Sequence, residues 1–425
     1  MKIHLDLDCY FVSAERTRDE TLKNRPVVVA KGSDKRIFDP NKKDAVMLGN
    51  TGAFNGVMEF RHSKNRTWHD EFMGENGKIS GIVIAKSYET KPYGIQTGTP
   101  LSQALQMCPD LIILPSDHLF YQELSQKLKS FLEIKIPLLE QFSIDEFFGD
   151  LNGWIDECDT LEFITNLRNE IMQKFDLPIT IGASSSKWIA KLITDKTKPF
   201  GVKVIHDNEL DDFINPVNIG EFCGVGRSLK ERLNARKIFT IGELKQRPRL
   251  LMEQGKVGRD LLARINGRDN EPIVANNIRK GIGISRNFAA VSARVEIKRR
   301  VTILARYLAY TILDMSLNPT TFHFKIRYEN GAKNSQSITH DRLFSESFMI
   351  DTAIEMVQKL DINKRQKIHY IGLSATNFTN NHQYKTFSLL EYQDDMQKSK
   401  LSTALLKIRK RYGIDMVRYG IESEK

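Results

Sequence analysis

Cysteine is scarce in this chain: Cys9, Cys108, Cys158 and Cys223 are the only four among 425 residues, and they lie far apart. No pair has metal-ligand spacing and the four make no disulfide framework, so a reducing, cytoplasmic setting is expected. Long apolar runs are missing as well. None approaches the ~20 residues that a membrane span requires, so no membrane partner is expected. The opening MKIHLDLDCYF carries an early acidic pair and no small-residue cleavage site, which argues against a signal peptide. No internal repeat is evident. At ~100–150 residues per domain, a chain of this length divides into three or four domains.

Acid is in shorter supply than base. Lys and Arg number 63 against 53 Asp and Glu, giving a formal charge of +10 and a pI near 9.2. Excess cations suit a polyanionic partner, because Lys and Arg displace counterions condensed on phosphates. Charge alone fits a merely basic soluble protein equally well; its distribution favours the first reading. Residues 276–300 hold Arg279, Lys280, Arg286, Arg294, Lys298, Arg299 and Arg300 against the single acid Glu296. The pattern reads as a basic linker laid along a nucleic-acid backbone.

Periodicity supplies the elements. KIHLDLD reads as a buried strand running into a helix, and RPVVVA (25–30) as a strand buried on both faces. Residues 31–80 are polar, rich in Gly, Asn and Lys, and nearly aperiodic, which suggests an inserted surface segment. Strands and helices then alternate to about residue 205, as in an α/β or α+β sheet domain. From Asn215 the pattern turns helical. Strands such as TTFHFKIRYENG and KIHYIGLSATNF return with two helices over 287–395, and a basic amphipathic helix closes the chain.

The chemistry lies in acids set within apolar strands, DLD at 6–8 and IDE at 144–146. A buried carboxylate without a counter-charge either protonates or needs a cation. Two such clusters in one sheet can chelate hard divalent ions, and a two-magnesium site activates a hydroxyl while stabilising a leaving pyrophosphate. Alone, either motif fits strand-end acids facing solvent or lysines. Downstream, KTKPFG (196–201) puts Lys198 at a helix end, able to reach a triphosphate or simply to serve as a C-terminal cation. CGVGRSLKERL places Gly224 and Gly226 between helical stretches. That suits a helix-hairpin-helix offering backbone amides to DNA phosphates, or a plain αα-hairpin.

Taken together, DLDCYFVSAE, FSIDEFFGDL, ITIGASSSKWIAKLITDKTKPFGVKVI, GVGRSLKERLNARKIFTIGEL and KIHYIGLSATNF resemble the Y-family of translesion DNA polymerases, in its DinB or DNA polymerase IV branch. The resemblance covers nearly the whole chain outside residues 31–80 and the last thirty or so. It implies an α+β, multidomain right-hand fold. Palm and fingers would occupy 1–214 (fingers about 25–100, insertion about 31–80) and a helix-hairpin-helix thumb 215–275. A basic linker at 276–286, an α/β little finger at 287–395 and a basic C-terminal helix or tail at 396–425 would follow. The activity implied is low-fidelity, template-directed DNA synthesis without proofreading, by a monomer acting on primer–template DNA and dNTP. A single-nucleotide-inserting enzyme of the same family is the nearest rival, and a non-catalytic DNA-binding scaffold the rival of another class.

Residue by residue, the resemblance makes Asp6 and Asp145 ligands of two Mg2+ ions, Glu146 a ligand on the primer side, and the Leu7 carbonyl a further donor. Phe11 falls at the steric gate that refuses a ribose 2′-OH, and Tyr10 at the aromatic before it. Tyr88 matches a tyrosine that touches the triphosphate, with Lys91 where the family usually has arginine, a change that loses bidentate phosphate contact. Phe147 follows the acids where a smaller side chain is common. Arg279, Lys280, Arg286, Arg299 and Arg300 become DNA contacts together with Gly224 and Gly226. KTFSLLEY (385–392) loosely resembles a sliding-clamp peptide docking through Phe387, Leu389 and Leu390; a β-strand accounts for it equally well.

Overall fold

The structure is a computed structural model, and it describes all residues except 43–44, 49–56, 62–66, 75–76, 276–279, 381–390 and 424–425. Arg279, Phe387, Leu389 and Leu390 therefore lie outside the described residues. The chain forms two compact units, Met1–Lys31 with Thr67–Asn277, and Gly32–Arg66 with Ile278–Lys425. Among the described residues no helix is long and apolar enough to cross a membrane.

The first unit is built on a five-stranded sheet in the order Val202–Val204, Ile179–Ser184, Lys2–Leu7, Glu146–Asp150, Leu138–Gln141. All its pairs are antiparallel except the first, which is parallel. The strand Lys2–Leu7 is central and therefore buried on both sides: Ile3, Leu5 and Leu7 fill one face, His4 and Asp6 the other. Helix Lys187–Thr197 crosses the His4 face closely. A Cβ on Gly182 would stand 2.5 Å from the Ala190 carbonyl oxygen, so only glycine permits this approach.

A three-stranded sheet, Ile82–Lys86, Val27–Lys31, Ile112–Pro115, carries the expected all-buried valine run at its centre. Its core includes Val28, Phe72, Val83, Leu101 and Ile113. Residues 219–265 form short helices around Phe222, Leu233, Ile241, Leu251 and Leu261.

The second unit holds a four-stranded antiparallel sheet in the order Gly281–Val291, Ile368–Asn380, Leu317–Tyr328, Lys333–Thr339. Phe322, Phe324, Ile326 and Tyr328 turn inward, towards helices Arg294–Asp314 and Glu346–Leu360, while Thr321, His323, Lys325 and Arg327 take the opposite parity. Three differences from expectation appear here. The span 276–286 is not all linker, because a strand begins at Gly281. Residues 31–80 are not one surface insertion: Trp68–Phe72 is a helix of the first unit, whereas Gly32–Arg66 belongs to the second. Ile37, Phe38, Val57, Met58 and Phe60 share a core with Ile303, Tyr307 and Phe324. The tail is likewise structural. The fully buried Arg306 is held by Glu422 at 2.7 Å and Asp415 at 2.7 Å, and Lys42 pairs with Asp415 at 3.4 Å.

Candidate active site

Antiparallel pairing sets Asp6 directly opposite Glu146, with Asp145 one residue before it. The Leu7 amide donates to the Asp145 carbonyl oxygen (3.0 Å), tying the two acidic segments together. Ser143 shapes the turn into Asp145. Its hydroxyl donates to the Asp145 carboxylate and accepts from the Glu146 amide (3.1 Å). Asp6 is 5 % exposed. Burial pushes its carboxyl up, Lys198 pulls it back, and Glu146 and Asp145 add to the rise, leaving it at about 8. Burial likewise raises Asp145, against the pull of the Ser143 hydroxyl.

Two lysines stand where counter-cations are needed. Lys198 Nζ lies 2.7 Å from Asp6 Oδ1, and Lys191 Nζ is paired with Glu146 Oε1. Both come from one face of the Lys187–Thr197 helix and its C-terminal cap, where side chains four and seven residues apart align. Burial works against the charged form of each, but Glu146 raises Lys191 and Asp6 raises Lys198. One turn earlier, Lys187 forms a buried pair with Glu140 at 2.6 Å, and Glu140 also accepts from the Val274 amide (2.8 Å). His4 shares the acids' face. Burial first, then Lys191, Lys198 and Lys187, holds it well below the usual imidazole value, so it is neutral.

Asp8, the second acid of DLD, takes a different part. Its carboxylate accepts from Thr180 Oγ1 (3.0 and 3.1 Å), the Phe200 amide (2.7 Å) and Tyr88 Oη (3.2 Å). It therefore fixes the turn after Lys198 and the tyrosine expected at the triphosphate. Lys91 Nζ lies 4.3 Å from the Tyr88 ring centroid, so these two residues sit together. Phe11 is half-buried near the start of helix Tyr10–Arg16. Tyr10, expected among the nucleotide contacts, turns its side chain inward. It is 3 % exposed and its hydroxyl donates to the Tyr121 carbonyl oxygen, because the first position of that helix turns into the core. Phe147 is fully buried.

Gly224 adopts φ 104°, a left-handed conformation that favours glycine, and Gly226 caps helix Arg227–Asn234 with no side chain over its first amides. A second hairpin of the same kind went unread in the sequence: Gly255 (φ 64°) opens helix Gly255–Ile265, and Gly258 packs against the Leu251 carbonyl. Its G-x-x-G spacing was the available signal.

The basic cluster divides differently from its charge count. Lys280 is exposed. Arg286 shares the inward parity of Ile282, Ile284 and Phe288 and donates to the Asp34 carbonyl oxygen (3.2 Å). Arg299 and Arg300 both pair with Glu296, and Arg299 also donates to the Phe38 carbonyl oxygen (3.0 Å). These three cations, expected on DNA, each have a protein partner as well.

Comparison with known proteins agrees with this geometry. A profile of the impB/mucB/samB family matches residues 5–195, and one of its C-terminal domain matches residues 279–388, together well over half the chain. DNA polymerase IV of Clostridium kluyveri is 27 % identical over 382 residues, covering 83 % of this chain and 93 % of its own. DNA polymerase IV 1 of Bacillus subtilis is 24 % identical over 431 residues, covering 99 % and 93 %. Among solved structures, a chimaera of the Y-family DNA polymerases Dbh and Dpo4 superposes with a TM-score of 0.70 at 23 % identity, covering 89 % of this chain and 99 % of its own. DinB from Sulfolobus solfataricus gives 0.54 at 21 %, with the same coverage. At such identities the structures speak for the fold, and the profiles for descent: the chain belongs to the impB/mucB/samB family, the Y-family DNA polymerases.

Proposed function

We propose that this polymerase carries out low-fidelity, lesion-bypassing synthesis, adding dNTP to a primer 3′-hydroxyl with two magnesium ions held by Asp6, Asp145 and Glu146. The observation that carries the reading is the strand register opposing Asp6 and Glu146, with Lys198 and Lys191 seated on their carboxylates. The donor set fits magnesium: three carboxylates and the Leu7 backbone are hard oxygen donors. Burial raises the Asp6 carboxyl, and a bound cation would favour its charged form. When bound, the ions supply activation of the primer hydroxyl and stabilisation of the pyrophosphate.

The chain's own residues do the rest. Released from Asp6, Lys198 is placed to neutralise triphosphate oxygens, together with Tyr88 and Lys91. Phe11 lies beneath the incoming sugar and excludes a 2′-hydroxyl. Asp8 keeps Tyr88 and the Lys198 turn in fixed relation. The hairpins at Gly224–Gly226 and Gly255–Gly258 hold DNA phosphates through backbone amides, with Lys280 as a further cation. The protein acts as a cytoplasmic monomer, with a sliding clamp as a further partner.

Primer extension with magnesium on undamaged and abasic templates tests the reading. The parent is expected to extend both distributively. Asp145→Ala should lose at least roughly a hundredfold, and parent-like extension by this variant would sink the assignment. Phe11→Ala should incorporate ribonucleotides more readily; unchanged sugar discrimination removes its gate role.

A further inference from the structure

A gate that works by steric clash succeeds only if it cannot retreat. Phe11 by itself is poorly placed for this, being half-buried on a helix of seven residues. The helix His118–Lys135 supplies what the first helix lacks. Tyr121, fully buried, lies flat against Phe11 with ring centroids 4.5 Å apart and planes 14° from parallel. His118 meets the Phe11 ring edge-on at 5.4 Å and 84°. Phe11 thus has one ring behind it and another across it, and swinging to a different rotamer would break both contacts.

The backing residue is itself held through both its ring hydroxyl and its backbone. Tyr121 Oη donates to Glu15 Oε1 (2.7 Å), and its carbonyl oxygen accepts from Tyr10 Oη (2.5 Å). A turn further along, Arg18 pairs with Asp117 at 2.9 Å and lays its guanidinium 3.2 Å from the Phe120 ring centroid. Tyr10 and Glu15 of the first helix, with Arg18 in the turn just after it, therefore grip the start of the other beside the Phe11–Tyr121 stack. These bonds fix the distance between the helices more tightly than apolar packing alone.

We propose that Tyr121, assisted by His118, is the positioning residue of the sugar gate: it denies Phe11 the room to withdraw and so sets how strictly ribonucleotides are refused. This rests on reading Phe11 as the gate. Tyr121 touches no substrate. Tyr10 acquires a role through it, as the residue that locks the backing helix.

Single-nucleotide insertion kinetics with a dNTP and the matching rNTP, on the full chain, test the proposal through the ratio of their kcat/KM values. Tyr121→Leu keeps apolar bulk but removes the flat ring, and should lower the ratio roughly three- to tenfold, the factor corresponding to a stacked aromatic pair. Tyr121→Phe keeps the stack while losing the Glu15 bond, and should retain the parent ratio. Adding Tyr121→Leu to Phe11→Ala should lower the ratio no further than Phe11→Ala alone. A parent ratio in Tyr121→Leu, or a full additional loss in the double variant, overturns the proposal while leaving Phe11 as the gate. A parent ratio in Phe11→Ala overturns both. If Tyr121→Leu does not fold, His118→Leu spares the buried Tyr121 bonds and should loosen the ratio in the same direction by a smaller factor; no change there counts against the proposal.

Discussion

Replacing Phe60 by alanine measures whether the Gly32–Arg66 segment is a working part of the second unit's core. Phe60 is 1 % exposed at the end of strand Met58–Phe60, and Arg36 lays its guanidinium 4.6 Å from its ring centroid. It belongs to the same cluster as Tyr307, Phe322 and Phe324. An aromatic of this kind buries ~150–250 Å2, which at ~25 cal/mol per Å2 corresponds to about 4–6 kcal/mol. Measured Phe→Ala losses in cores run ~3–5 kcal/mol. For a unit of this size each kcal/mol moves the midpoint by about 2–4 °C, so a fall of roughly 6–20 °C is expected in its transition. Calorimetry reads the shift, and native-state hydrogen exchange locates it: amides of Leu317–Tyr328 should lose protection while those of Ile179–Ser184 keep theirs. A surface loop predicts a change within about 0.5 kcal/mol. Such a result, or protection lost only from Ile179–Ser184, refutes the reasoning.

Other outcomes follow from the first unit. Burial raises the Asp6 carboxyl from its ordinary 3.8 to about 8 in the folded, metal-free protein, so between these values the fold favours its protonated form more than the unfolded chain does. The unfolded state there binds fewer protons, so its contribution to stability is complete below that window and is lost as pH rises through it. Thermal melts in chelator across this range should show the decline, and a flat profile contradicts it. Magnesium binding at pH 7 should release about one proton by buffer-dependent calorimetry; zero release would mean that Asp6 is already ionised. Gly182→Ala drives a Cβ to 2.5 Å from Ala190 O and 2.7 Å from Thr194 N, backbone that cannot yield cheaply. It should cost about 1–3 kcal/mol and reduce primer extension by shifting Lys191 and Lys198, and parent stability with parent rate would refute the close crossing.

What the sequence disclosed follows from what each signal depends on. The meeting of the two acidic segments at Asp6 and Glu146 was legible because acids inside apolar strands carry their own energetic contradiction. The Val27–Lys31 run was legible because burial on both faces removes alternation. Asp8 was not, since its partners Thr180 and Phe200 lie far along the chain and only the fold brings them to it. Counting cations around 276–300 did not disclose the protein partners of Arg286, Arg299 and Arg300, because a count ignores strand parity and the carbonyls of residues 34 and 38. The core role of Gly32–Arg66 was hidden for the same reason. Phe38, Val57, Met58 and Phe60 are few, dispersed and aperiodic, and they become a core only against residues beyond 280.

The passage of the chain out of the first unit at Lys31 and back at Thr67 also has a consequence during synthesis. Residues 32–66 leave the ribosome early, yet their partners on the Arg294–Asp314 helix and the sheet around it follow more than two hundred residues later. At ~5–20 residues per second the wait is on the order of 10–40 s. Phe38, Val57, Met58 and Phe60 are too sparse to form a cluster alone, and the same dilution that hid them from sequence reading keeps the nascent segment from being a strongly apolar, aggregation-prone stretch while it waits. The core of the second unit can therefore be completed only after the residues beyond 280 have been made.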